Sequence, residues 1–274
     1  MQKNIFIILI FVVITQILGI YAGYTYYNLI KSGAAIPPIE NPYSIENSFY
    51  LFFWIIFMTI VILIVSKFWK GFIFSFEPFL IFLASFLFFD IVIQVSIISL
   101  ILAAGLTLWK TIKPSFLSQN ISSTISGAGA GAIIGLSFDL VPCIVFLLLL
   151  STYDIVAVFI TKHMISLAKL LIKRPTSFMF SSAHEYKTPR KIYGKVKKVH
   201  VFHLGLGDVV FPLALAVSSI VKHGFIHGLF CIFGCWISLI LLFYYMKNNP
   251  SPLPALPFVS VGSLSGIVIA NLLF

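Results

Sequence analysis

The chain is poor in charge. Only 9% of its 274 residues are Asp, Glu, Lys or Arg, against roughly a quarter in an ordinary soluble domain. So few charged side chains cannot cover a water-facing surface, which excludes soluble enzymes and nucleic-acid binders. Acidic residues are scarcest, 8 against 18 Lys and Arg. The net charge of +10 would suggest a nucleic acid in a soluble protein, but here its placement relative to the apolar runs carries the information. Cysteine is scarce as well. Three cannot all pair and none lies in a polar segment, so a disulfide scaffold is excluded and the redox compartment stays open. No A-x-A cleavage site follows the first apolar run, so residues 1–24 read as a membrane span rather than a removed signal peptide. What is abundant is apolar: 60% hydrophobic residues, 29 Phe and a mean hydropathy of +1.08. The expected fold class is an all-α polytopic membrane protein.

A helix rises 1.5 Å per residue, so about 20 apolar residues cross a hydrocarbon core of about 30 Å. On that ruler the first span is Ile5 to Tyr24, followed by a loop with Pro37, Pro38, Glu40, Pro42 and Glu46. The second is Phe49 to Val65. The run from Phe72 to Trp109 would be about 57 Å long as one helix, so it folds back, with Asp90 as the expected bend. Ile121 to Thr161 divides near Asp139 and Pro142, and Val199 to Val221, Gly224 to Met246 and Leu253 to Leu273 complete nine transmembrane helices. With the N-terminus inside, 16 of the 18 Lys and Arg fall on inner segments, and only Lys31 and Lys222 fall outside. The positive-inside rule therefore predicts a cytoplasmic N-terminus and an extracytoplasmic C-terminus. The expected organisation is a six-helix part over residues 1–161, a basic cytoplasmic loop over 162–198, and a three-helix part over 199–274. The whole reads as a multi-pass protein of the cell membrane.

An ionisable group in the hydrocarbon core costs about 2.5–3.5 kcal/mol even on the lenient insertion scale, so each needs a reason. Asp90 and Asp139 fall at outer turns and Glu77 near an inner span start, where interfacial carboxylates are ordinary. Asp154 and Asp208 are different. Asp154 lies eight residues before Lys162 and Asp208 ten after Lys198, placing both about 12–15 Å below the same surface on antiparallel neighbouring spans. Each alone could be polar glue between helices. Together, with no intramembrane Lys or Arg to neutralise them, they form a carboxylate pair that cannot ionise fully in a low dielectric and shares one proton. That arrangement suits aspartic proteolysis: one carboxylate takes a proton from water while the protonated one polarises the scissile carbonyl.

Two glycines, Gly205 and Gly207, immediately precede Asp208 and allow close approach of another backbone. In the last span Pro250, Pro252, Pro254 and Pro257 crowd together. The segment Pro254-Ala255-Leu256-Pro257 is expected to be extended or loosely turned over Leu253 to Leu256, which is tolerated at depth only inside protein or beside a wet cavity.

Tyr153-Asp154 within STYDIVAVF, LGLGD from Leu204 to Asp208, and LPALP from Leu253 to Pro257 resemble the three signature motifs of the presenilin and signal peptide peptidase family of GxGD intramembrane aspartyl proteases. Their order, their places on the sixth, seventh and ninth spans and the span count all match, and the resemblance covers essentially the whole chain. GxGD alone is a weak signal; with YD and PALP in register it is specific. The inward N-terminus is similar to the presenilin branch, and the short loop and missing polar tails to compact archaeal-type homologues. The resemblance implies that Asp154 and Asp208 are the catalytic pair. It implies that Tyr153, Gly205, Leu206, Gly207, Pro254, Ala255, Leu256 and Pro257 shape the site and receive substrate. It implies transmembrane proteins or peptides as substrates within the lipid bilayer, no metal or organic cofactor, no nucleic acid and no required accessory subunit, with a homo-oligomer left open.

Two other activities use similar features. A proton or cation transporter would also employ membrane carboxylates and a broken helix, but no inverted repeat supplies a second interrupted span. A prepilin-type peptidase shares GxGD but has no use for the PALP element. Elsewhere, Gly127, Gly131 and Gly135 form a small-residue face suited to packing against a neighbouring span, dimer contact or substrate docking. Cys231 and Cys235, four apart, read as small buried packing residues because no second ligand pair lies near. His200 and His203 read as interfacial. Phe178-Met179-Phe180 reads as either a lid over the site or a membrane-surface anchor in a solvated linker.

Overall fold

The computed structural model describes residues 2–68, 72–161, 176–182, 203–248 and 253–274. Nine α-helices lie among them: α1 (Gln2–Lys31), α2 (Ile45–Phe68), α3 (Phe72–Ile93), α4 (Ser96–Ile112), α5 (Phe116–Ser137), α6 (Leu140–Ile155), α7 (Gly207–His223), α8 (Phe225–Asn248) and α9 (Ala255–Leu273). Six of them, α1, α2, α3, α6 with its extension to Ile160, α8 and α9, are long and apolar enough to cross a membrane. The others fall short for physical reasons. Helix α4 has 17 residues. Helix α5 is largely enclosed by protein, which lets it carry Ser118, Gln119, Asn120, Ser122 and Ser123 where a lipid-facing helix could not. Helix α7 is shortened because the residues before it leave the helical path.

The fold-back of the long apolar run comes slightly after the expected Asp90. The Asp90 carbonyl still accepts from the Gln94 amide at 3.0 Å, completing the last turn of α3. The chain then reverses at Gln94, whose φ of 58° is left-handed, and at extended Val95. The other division falls where expected. Asp139 is the extended N-cap of α6 and Pro142 sits in its first turn, where a missing N–H leaves no helical bond unmade.

Helix α5 runs through the middle, against α1, α3 and α7. Its glycine face packs within the chain. A Cβ at Gly131 would lie 2.5 Å from Leu213 Cδ2, and one at Gly135 would lie 2.5 Å from the Ala214 carbonyl oxygen, both on α7. Such close approach supplies the van der Waals contact that holds helices together where lipid is as apolar as the core. A second glycine contact joins α8 and α9, where a Cβ at Gly234 would lie 2.0 Å from the Gly262 oxygen. Cys231 and Cys235 are fully buried fillers, and Gln16 Nε2 donates to Cys235 Sγ at 3.2 Å. Among the described residues no group of three or more His, Cys, Asp or Glu could hold a metal.

Two short strands complete the structure. β1 (Met179–Ser181) and β2 (His203–Gly205) pair antiparallel, with Phe180 opposite Leu204. The expected helix from Val199 is therefore corrected: 203–205 are strand, and 199–202 lie outside the described residues, as does His200. Phe178-Met179-Phe180 is not part of a solvated linker. Met179 and Phe180 belong to a buried strand laid against the helices. The rest of the basic loop, 162–175 and 183–198, lies outside the described residues.

Candidate active site

Asp208 owes its place to a change of backbone path. β2 ends at Gly205, and the Leu206 carbonyl accepts from Val209 and Val210 at 3.1 and 3.0 Å, opening α7 so that Asp208 falls in its first turn. The Leu206 amide donates to the Phe178 oxygen at 2.9 Å. Alternation along an antiparallel pair then turns the backbone groups of Gly205 away from β1, and the Gly205 amide bonds the Asp208 carboxylate. A Cβ at Gly205 would lie 3.0 Å from Asp208 Oδ2, and one at Gly207 would lie 3.2 Å from the Phe211 ring. The backbone approach expected at these glycines is thus partly the protein's own: the Asp208 carboxylate folds back over Gly205.

Asp154 lies in the last turn of α6. Beyond it the helix widens into a π-turn over Val156–Ile160, closed by the Thr161 amide donating to the Val156 oxygen at 2.9 Å. Such turns often mark functional sites. The two aspartates are close enough for the Asp154 charge to act on the Asp208 carboxyl.

Helix α9 supplies the third element. Pro254 is its extended N-cap, with φ −67° and ψ 118°. The expectation of an extended stretch through Leu256 is corrected, because Ala255, Leu256 and Pro257 form the first helical turn. A first turn has amides with no intrahelical acceptor, so it admits Pro257, and it leaves the Leu256 N–H free. That N–H donates to Asp154 Oδ2 at 3.3 Å. One turn on, the Ser151 and Ser260 hydroxyls bond at 2.7 Å and tie α6 to α9. The structure therefore brings Asp154, Gly205, Asp208 and Leu256 together. Tyr153 instead reaches toward α2, edge-on to Phe52 with ring centroids 6.4 Å apart and bonded to Thr59.

Several residues behind the site carry no motif. Glu77, expected near the inner start of its span, is only 1% exposed; it is ion-paired with Lys110 and accepts from the Ser177 amide at 2.6 Å. Asn120 and Gln119 of α5 bond the backbone of β1. The signal for them was the polar string Ser118 to Ser126, whose first three residues precede the expected start of the span at Ile121.

The family model described as signal-peptide peptidase, presenilin aspartyl protease matches residues 7–274. The chain belongs to that family. It is an intramembrane aspartyl protease, an integral membrane protein of a family that acts on transmembrane substrates. Similar solved structures include a presenilin family intramembrane aspartate protease in two crystal forms. In one, 21% identity over 97% of this chain and 96% of that chain gives a TM-score of 0.67. In the other, 22% identity over 97% of both chains gives 0.70. At that identity the likeness speaks for the fold. No curated protein sequence matches. Membership of this family sets aside the transporter and prepilin-peptidase alternatives.

Proposed function

We propose that Asp154 and Asp208 are the catalytic pair of this intramembrane protease and hydrolyse peptide bonds within transmembrane segments. The ionised carboxylate accepts a proton from water, whose oxygen attacks the scissile carbonyl carbon; the protonated carboxyl donates to the carbonyl oxygen. Collapse of the tetrahedral adduct returns a proton to the leaving nitrogen. The observation that carries this reading is the meeting of three chain segments at two carboxylates: the α6 terminus, the strand-to-helix corner at Asp208, and the first turn of α9 bonded to Asp154.

Around them, Gly205, Leu206 and Gly207 shape the corner, Pro254, Ala255, Leu256 and Pro257 the α9 side, and Tyr153 holds the α2 side. The site end of the bundle faces the cytoplasm, with the N-terminus inside and the C-terminus outside in the cell membrane. The distribution of 16 of 18 basic residues to one side supports this. Residues 1–161 and 199–274 act as two membrane parts joined by a basic cytoplasmic loop, 162–198. The protein works without metal or accessory subunit, as a monomer or homo-oligomer.

Purified protein incubated with a transmembrane peptide, with and without an aspartic-protease transition-state analogue, tests this. Cleavage should be blocked by the analogue and should fall about 10²–10⁴-fold in Asp154→Asn and in Asp208→Asn. Either variant cleaving at more than about a hundredth of the wild-type rate would overturn the assignment.

A further inference from the structure

We propose that Asn120 is a positioning residue for Asp208: its carboxamide stands in for a third strand on the outer edge of β1 and thereby fixes the corner that carries the aspartate. The inference rests on Asp208 being catalytic. Strand β1 has two edges. On the inner edge Phe178 and Phe180 face β2. On the outer edge, where Met179 and Ser181 turn their backbone groups away from β2, the backbone bonds of these two residues are made with α5. Asn120 Oδ1 accepts from the Ser181 amide at 3.1 Å and Asn120 Nδ2 donates to the Ser181 carbonyl at 3.1 Å. This is the two-bond exchange that a neighbouring strand would make. Gln119 Nε2 donates to the Met179 carbonyl at 3.0 Å, and Ser123 Oγ to the Ser177 carbonyl at 3.0 Å. Asn120 is fully buried, so its carboxamide cannot trade these partners for bulk water, and losing it leaves Ser181 with an unpaired amide and carbonyl.

Helix α5 reaches the site a second way. Its glycine face sets the position of α7, with a Cβ at Gly127 falling 2.8 Å from Leu206 and one at Gly131 meeting Leu213. One helix thus holds both sides of the corner: the sheet through Asn120 and the helix through its glycines. Asp208 lies where the two meet, three residues past Gly205. Slippage of β1 along α5 would carry β2 and Gly205 with it and displace the carboxylate from Asp154. Displacements of about 1 Å can cost about 10²-fold in rate.

The test is a rescue. Ser181 and His203 are opposite one another at a non-hydrogen-bonded position, with Ser181 Oγ and His203 Nδ1 3.0 Å apart. Such positions bring Cα atoms to about 4.5 Å, within the range of a disulfide. In the double variant Ser181→Cys/His203→Cys, oxidation locks β1 to β2 without Asn120. Asn120→Ala alone should lower kcat per active site, titrated with the transition-state analogue, by about 10- to 100-fold, with KM within about twofold. Adding the oxidised cysteine pair should restore kcat to within a few-fold of the pair in the Asn120 background, and reduction should abolish the gain in the same sample. Unchanged kcat in Asn120→Ala, or a loss that oxidation does not relieve, overturns the proposal. Should Asn120→Ala not accumulate folded, Asn120→Asp, which keeps Oδ1 for the Ser181 amide and loses the donor, is put through the same comparison and judged by the same outcomes. Asp208→Asn with the oxidised pair must stay inactive. Activity there would overturn the catalytic reading itself and leaves the Asn120 result separately legible.

Discussion

Among the described residues each end of the helix bundle carries one lysine–carboxylate pair, and the two are built in opposite ways. At the site end Lys110 and Glu77 join α4 to α3, are 5% and 1% exposed, and hold the Ser177 amide as a third member. At the far end Lys222 reaches the Asp139 carboxylate at 2.9 Å with its side chain 43% exposed. The difference follows the backbone each end must hold. At the far end the polar groups at the helix junctions are met by single backbone and hydroxyl contacts, as where the Asp139 amide bonds the Pro42 oxygen and the Ser218 hydroxyl bonds the Phe138 oxygen. At the site end the chain contains strands inserted among helices, whose outer backbone groups have no partner unless side chains provide one. Directional groups are therefore concentrated at the site end: the Glu77–Lys110 pair, the Asn120 and Gln119 carboxamides and the Ser123 hydroxyl. The middle of the bundle has fewer of these, chiefly the Gln16 carboxamide between Cys235 and Trp236, and is held largely by glycine contacts.

The contrast breaks first at Lys110. Lys110→Met leaves a buried Glu77 charge uncompensated and should destabilise the protein by about 3–5 kcal/mol, read as thermal melting in detergent. Adding Glu77→Gln, which keeps an acceptor for the Ser177 amide, should recover most of it. A Lys110→Met protein that melts like wild type would make the two ends equivalent. Next is the middle. Gly234→Ala forces a methyl against the Gly262 carbonyl and should cost about 1–3 kcal/mol, with kcat per folded molecule unchanged. An equal loss from substituting Gly105, which has open space around its Cβ position, would show that helix propensity rather than contact is responsible. Smaller in free energy but confined to activity is Pro254→Ala. It permits α9 to extend by a residue or more, drawing the Leu256 amide into the helix and off Asp154. kcat/KM should fall about tenfold, or about 1.4 kcal/mol, while Leu256→Ala, which keeps that amide, should fall only a few-fold. Equal activity of both with wild type would remove the α9 turn from the site. At the bottom of the scale, Lys222→Ala should leave melting unchanged within error, because an exposed pair is screened and its side chains lose freedom when held.

Much of the candidate site was legible from local sequence because its parts are local. Asp154, Asp208 and the Pro254–Pro257 string each announce themselves as exceptions to an apolar background, and family membership bears out the protease reading drawn from them. The bend expected at Asp90 lay only four residues early, since a helix end depends on conformations such as that of Gln94 that composition does not encode. Two expectations failed, each for its own reason. An apolar Val199 to Val221 suggested helix, and LPALP suggested an extended chain, yet 203–205 are strand and 255–257 are helix. In the first case pairing with 179–181 outweighed the helical alternative. In the second, the first turn of a helix tolerates proline.

By itself the sequence determined that this protein lives in a bilayer, how many times its chain can cross, and which carboxylates do not belong there. Those properties follow from the thickness of the hydrocarbon and its intolerance of charge, constraints felt one residue at a time. The tertiary structure alone decided which distant groups meet: Glu77 with Lys110, 33 residues apart, Asn120 with Ser181, 61 apart, and Asp154 with the Leu256 amide, 102 apart. A hydrogen bond between such positions depends on the whole chain being packed, because each partner is placed by a helix or strand whose own position is set by close contact with its neighbours.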